Sequence, residues 1–147
     1  MLRVVITGGL LMSFTGTANA QNRSVADTTP VKVVEQAEAA FYAKDVQALM
    51  SYYASNSESY TLAKGDSAGK GPESKEKMQA GVAAFFKKFP KQHGKVLSSI
   101  EHGPYVVRQY ISEAEDRPPM KALWVYEVRG GKIRRAWSST ETVPHQK

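Results

Sequence analysis

The chain has 147 residues, which suits one domain. Its 41% hydrophobic and 10% aromatic content belong to a chain that buries a core rather than to a disordered one. Cysteine is absent, which excludes disulfides, thiolate metal sites and a cysteine nucleophile, and the net charge of +6 raises the question of an anionic partner.

In chain order, residues 1–20 read as a signal peptide. Arg3 supplies the positive start, "VVITGGLLMSF" the apolar run, and Ala18 and Ala20 the small residues of a cleavage site after Ala20. Thr7, Gly8 and Gly9 break the run, so no stable membrane insertion is expected. The expected location is therefore periplasmic or secreted, with 21–29 as a flexible leader, 30–142 as a single domain and 143–147 as a tail. Pro30 suits the first turn of a helix that Thr28 or Thr29 can cap. Val31, Val34, Ala37, Ala40 and Phe41 then recur at helical spacing, with Glu35 and Glu38 read as off that stripe. Asp45 opens a shorter helix carrying Val46, Leu49, Met50 and Tyr53.

Ser59 to Ala63 reads as a short strand and the Gly-rich stretch after it as a loop. "GDSAGKG" fails as a phosphate loop: it is one residue short between its glycines, and Gly71 stands where a hydroxyl must hold the metal. Pro72 is expected to start a third helix with an apolar stripe of Met78, Val82, Phe85, Phe86 and Phe89, ended by Pro90. The period then changes to two. Val96 to Glu101, Tyr105 to Glu115, Met120 to Arg129 and Lys132 to Thr140 read as strands, broken at "HGP" and "EDRPP". Helices followed by an antiparallel meander make an α+β domain.

"LWVYEVRGGKIRRAW", Leu123 to Trp137, reads as a hairpin on a two-residue Gly-Gly loop. Without a bulge, Glu127 faces Arg134, Tyr126 faces Arg135 and Trp124 faces Trp137. Val128, Ile133, Tyr126, Arg135, Trp124 and Trp137 then share the face under the helices. Glu127 and Arg134 fall on the other face, which is apolar enough to suit a homodimer contact. A bulge at the loop would swap the two surfaces of one strand.

Among the remaining groups, Tyr53, Tyr60, Tyr105 and Tyr110 are pocket candidates; Tyr105 and Tyr110 have opposite parity, and Arg108 shares that of Tyr110. His93, His102 and His145 show no metal-ligand spacing, and no cofactor or metal is expected. Glu101 and His102 adjoin, point to opposite faces and make a poor acid–base pair. The basic residues of Lys87 to Lys95 and of Arg129, Lys132, Arg134 and Arg135 read as a solvated face, with no nucleic-acid motif among them.

"VEQAEAAFYAKDVQALMSYYA", "GKG" before a Met/Phe-rich helix, and the terminal hairpin together resemble the nuclear transport factor 2-like superfamily, in its SnoaL-like and ketosteroid-isomerase-like branch. The resemblance runs from Val31 to Trp137. It implies a curved antiparallel sheet wrapped around helices, an α+β cone of cystatin-like shape with a conical pocket. In the ketosteroid-isomerase-like pattern an Asp base follows the "YA" of the second helix; the matching position here is near Thr61, which cannot serve. Neither Glu58 nor Asp66 fits that spacing, and neither the Tyr-plus-protonated-Asp pair nor the Asp–Arg–Asp set of the epoxide hydrolases is present.

The resulting expectation is an exported domain that binds a small apolar or aromatic molecule, with Tyr60, Tyr110, Trp124, Tyr126, Arg135 and Trp137 near the ligand and no catalytic residue assigned. The alternatives are a pocket enzyme (isomerase, dehydratase or hydrolase) using a carboxylate such as Glu127, and a dimeric interaction protein whose cone is filled.

Overall fold

The computed structural model describes residues 28–63, 69–115 and 117–143. The expected signal peptide, most of the leader, Asp66, and the tail from 144 with His145 lie outside them. Three helices and six strands follow one another as α1 (Pro30–Tyr42), α2 (Val46–Ser51), β1 (Tyr53–Thr61), β2 (Lys70–Ser74), α3 (Lys75–Lys88), β3 (His93–His102), β4 (Tyr105–Ala114), β5 (Arg117–Arg129) and β6 (Lys132–Thr142). The strands form one curved, unclosed sheet in the order β2-β1-β6-β5-β4-β3, with the helices against one face. Among the described residues no helix is long and apolar enough to cross a membrane.

Local chemistry sets the ends of the helices. Thr29 stands at the N-cap of α1 with Pro30 next, where its missing N–H costs nothing. Val33, Val34, Ala37 and Ala40 are the buried side of α1. Lys44, at φ 59°, turns the chain, and the Asp45 carboxylate accepts the Ala48 N–H at 2.9 Å to start α2. That helix stops at Ser51, so Tyr53 opens β1 instead of closing α2. The third helix also begins later than Pro72 suggests. Ser74 is its N-cap, accepting from the Lys77 N–H at 3.4 Å, while Pro72 follows a cis Gly71–Pro72 peptide in β2. As an edge strand β2 can hold a residue without a donor, and Ser74 is the better cap.

The meander β3-β4-β5-β6 is antiparallel as expected, but β5 runs back through Pro118 and Pro119 to Arg117. Strand β1 adds to its far side in parallel with β6, pairing Tyr60 with Trp137.

The hairpin register is the main correction to the sequence reading. Gly130 and Gly131 take φ of 58° and 69°, the primed turn expected, and Val128 faces Ile133. A bulge then intervenes: Glu127 faces Arg135, Tyr126 faces Ala136, Val125 faces Trp137 and Trp124 faces Ser138. One extra residue in β6 reverses the parity of everything after it. Tyr126 and Trp124 stay under the helices with Val128 and Ile133; Arg135 and Trp137 go to the outer face.

Val34, Val106 and Ile133 are the most deeply buried side chains, at the junction of α1 with β4 and β6. Ile133→Ala leaves a methyl-lined void beneath α1 and is expected to lower unfolding free energy by about 2–5 kcal/mol in urea titration. A loss below about 1 kcal/mol would contradict this position for the core.

Candidate functional site

The inner face of the sheet is arranged in rows across the strands. Val106, Tyr126 and Ala136 form the innermost row, with Val106 and Ala136 sealed from solvent. Arg108 and Trp124 come next, then Tyr110, Ala122 and Thr140, and last Ser112 with Met120. Ala122 and Thr140 are too short to reach the opposing helix α3, whose Met78, Gly81 and Val82 face the gap. The space left is a cavity of about 300 Å³ between sheet and helices, apolar along most of its wall. That volume lies at the small end of small-molecule sites.

A polar group closes one side of it. Tyr110, 7% exposed, donates its hydroxyl proton to Glu38 Oε1. Tyr126, equally buried, stands beside the Tyr110 hydroxyl. Tyr53 stands behind, also buried. Burial pushes all three phenols above their ordinary value, and the neighbouring Glu38 carboxylate adds to the effect. Burial likewise raises Glu38 itself, helped by Glu35; the Tyr110 bond and the Arg108 guanidinium oppose the rise without cancelling it. Arg108 is almost wholly buried, its Nε 3.5 Å from Glu38 and its Nη2 3.6 Å from Glu35, contacts that are coulombic rather than well-formed hydrogen bonds.

A second polar group stands at the other side. Gln92, 8% exposed, donates to Ser112 Oγ at 2.9 Å, and Arg117 Nη2 donates to the same oxygen at 2.7 Å. The Arg117 guanidinium lies 5.1 Å over the Phe89 ring. All three residues line the cavity.

Of the six residues expected near a ligand, the structure places Tyr110, Trp124 and Tyr126 in the cavity wall, with Trp124 stacked on Tyr126 at 5.7 Å between ring centroids. It places Tyr60, Arg135 and Trp137 on the opposite face of the sheet. There Tyr60 stacks on Trp137 at 5.8 Å and donates to Glu58 at 2.8 Å, while Arg135 lies 3.4 Å from both Glu58 and Glu127. The bulge is the cause, because the pocket assignment of Arg135 and Trp137 assumed a regular hairpin. Glu127 is buried on that outer face under Arg129 and Arg135 and does not enter the cavity; Arg134 instead bonds Asn56 at 2.8 Å. Tyr105 points out and Tyr110 in, as their parity requires. Among the described residues no group of three His, Asp or Glu is gathered to hold a metal ion.

The sequence reading missed Glu38 and Arg117. Glu38 carries a signal, since it lies four residues after Val34 and three before Phe41 and so shares their side of α1. Arg117 falls in the "EDRPP" stretch that the sequence presents as a strand break.

The family model of the SnoaL-like domain matches residues 34–136. The chain belongs to the SnoaL-like family. No curated protein matches the sequence. Solved structures that resemble this SnoaL-like chain include IdmH from Streptomyces antibioticus, a candidate polyketide cyclase, at 19% identity and a TM-score of 0.63 over 77% of this chain and 92% of that one. A cystatin-fold protein of Novosphingobium aromaticivorans gives 25% identity and 0.63 over 75% and 97%. AclR from Streptomyces galilaeus, a candidate hydroxylase, gives 14% and 0.67 over 78% and 80%. These likenesses establish the fold, which is the α+β cone expected.

Glu38 makes a pH-dependent prediction. Its folded-state pKa lies above the unfolded value near 4.5, so the neutral carboxyl is the form the fold favours. Its contribution to stability is fully present below about pH 4.5 and is lost as pH rises through the folded value. Glu38→Gln keeps an acceptor for Tyr110 and cannot ionise. Its melting temperature relative to wild type is expected to be constant below about pH 4.5 and to improve steadily toward pH 8. A difference that does not change with pH would refute the raised value.

Proposed function

We propose that this SnoaL-like protein is an exported domain that binds a small apolar or aromatic molecule in the cavity beneath α3. The observation that carries the reading is the wall itself: an apolar space holding Trp124, Tyr126 and Tyr110, with hydroxyl and carboxyl groups gathered at one side. Buried polar groups beside an apolar cavity fix the orientation of a ligand more than they contribute to its affinity. A keto or hydroxyl oxygen is the natural partner for Glu38 and Tyr110, because the neutral carboxyl can donate and the carboxylate can accept.

The two tryptophans separate this reading from its rivals. Trp124 lines the cavity and Trp137 does not. Titration with aromatic carboxylates and steroid-like ketones is expected to shift or quench tryptophan emission in wild type and in Trp137→Phe, and to lose the signal in Trp124→Phe. An unchanged emission across the panel, with no heat of binding by calorimetry, would end the proposal.

A second reading is favoured by Glu38. A carboxyl that burial favours in its protonated form, with one buried phenol donating to it, has the properties of an acid or base for proton transfer to a bound ligand. An isomerase, dehydratase or hydrolase acting through this carboxyl is the form an enzymatic role takes here.

Export and self-association complete the proposal. The apolar run of residues 4–14 and the small residues before Gln21 support cleavage on export. On the outer face of the sheet, Ile100, Val107, Val125, Trp137 and Tyr60 lie in one row across five strands, flanked by the ion-paired row of Glu127, Arg135 and Glu58. Ile100 is 63% exposed. An apolar row of this length favours pairing of two copies face to face. Protein recovered from a bacterial periplasm is expected to begin at Gln21 by intact mass and to elute at twice its monomer mass; Ile100→Lys should shift it to the monomer.

A further inference from the structure

The cavity has a second recognition pole that the oxygen-binding group at Glu38 leaves unused. Arg117 gives only one of its guanidinium nitrogens to the protein: Nη2 donates to Ser112, while Nε and Nη1 are shielded from solvent and make no hydrogen bond to any described residue. Guanidinium donors withdrawn from water and left without an acceptor are costly, so they call for an anion or a carbonyl oxygen. Ser112 points to the same need. Its oxygen already accepts from Gln92 and from Arg117, which leaves its own proton to be donated. Ser112, itself held by Gln92, anchors the guanidinium from one side and Phe89 supports it through its ring face, so it is fixed rather than free to turn to solvent. Lys88, in the last turn of α3 and 5.3 Å over the same Phe89 ring, adds positive charge near it.

Resting on the binding role just proposed, we infer that the ligand is an anionic amphiphile, an apolar or aromatic acid whose carboxylate is held by Arg117 and Ser112 and whose far end reaches Tyr110 and Glu38. Tyr110 and Ser112 are two residues apart on the same face of β4, which separates the two poles by about 7 Å along the strand. That is the span of a small fused-ring or phenylpropanoid-sized acid. A carboxylate suits this end, because one oxygen can accept the free Ser112 proton while the other accepts the second N–H of Arg117 Nη2. The opposite orientation would set the carboxylate against the Glu38 carboxyl and is disfavoured by charge.

The test compares naphthoate, hydroxynaphthoate and the uncharged naphthamide by calorimetry on the full mature chain. Naphthoate is expected to bind wild type at least about tenfold more tightly than naphthamide. Arg117→Gln should remove that preference by lowering naphthoate affinity far more than naphthamide affinity. Equal affinities of the acid and the amide for wild type would overturn the inference and leave the binding pocket standing. Absence of binding by all three, together with silent Trp124 fluorescence, would overturn the pocket and the inference with it. The wild-type comparison holds whether or not the variant folds. If Arg117→Gln folds and still prefers the acid, the anion is held elsewhere and the inference fails.

Discussion

One extra residue in the terminal hairpin organises this molecule. The bulge between Val128 and Glu127 leaves Arg134 without a paired residue on β5 and turns the remainder of β6 over. With a regular ladder, Trp137 would stand opposite Trp124 beneath the helices and the cone would be packed with indole. The bulge instead brings Ala136, Ser138 and Thr140 inward in alternation. These are small side chains, and the room they leave is the room a ligand needs. The same inversion sends Arg135 and Trp137 outward, where they join Glu127, Glu58 and Tyr60 in a second, separate surface. Interior cavity and exterior face are two results of one register shift.

The interior is built on a compromise between burial and polarity. Glu38, Tyr110, Tyr126 and Arg108 would be poor core residues if any of them stood alone. Set together, Tyr110 donates to the carboxyl, Tyr126 stands beside that hydroxyl, and the guanidinium offsets the charge when the carboxyl ionises. Arg108 does so from 3.5 Å without close hydrogen bonds, which leaves the carboxyl free to answer to its apolar surroundings. The polar chain sits where the sealed rows of the core meet the empty ones, and it marks the inner boundary of the cavity.

Much of the fold was legible because it rests on short-range chemistry. The stripe on α1, the Asp45 cap, the change of period after Pro90 and the Gly130–Gly131 turn each leave a local mark, and the structure follows each of them. The start of α3 was not legible, because the competition between Pro72 and Ser74 is decided by the pairing of β2 with β1. Two of the six expected pocket residues, Arg135 and Trp137, leave the cavity at the hairpin for a related reason. A bulge carries no residue signature of its own when the turn glycines suit a regular ladder equally well, yet it reverses every side chain beyond it. Glu38 is missed differently: it reads as off the apolar stripe, although its spacing from Val34 and Phe41 puts it on the inward side. Arg117 stands next to two prolines that read as a break, yet they sit in the first residues of the central strand β5, where a bulge interrupts its pairing with β4.

Helix α3 forms a thin wall. Only Phe86 of its residues is deeply buried, and at Gly81 a β-carbon would meet nothing within 4 Å beyond the helix's own backbone. Glycine is the weakest helix former after proline, so its presence there costs the helix about 1 kcal/mol against alanine. In return, one backbone position holds control over the bore of the chamber. A lineage of such proteins can widen or narrow what it admits by exchanging a single side chain on α3, leaving the sheet, its register and both polar poles as they are.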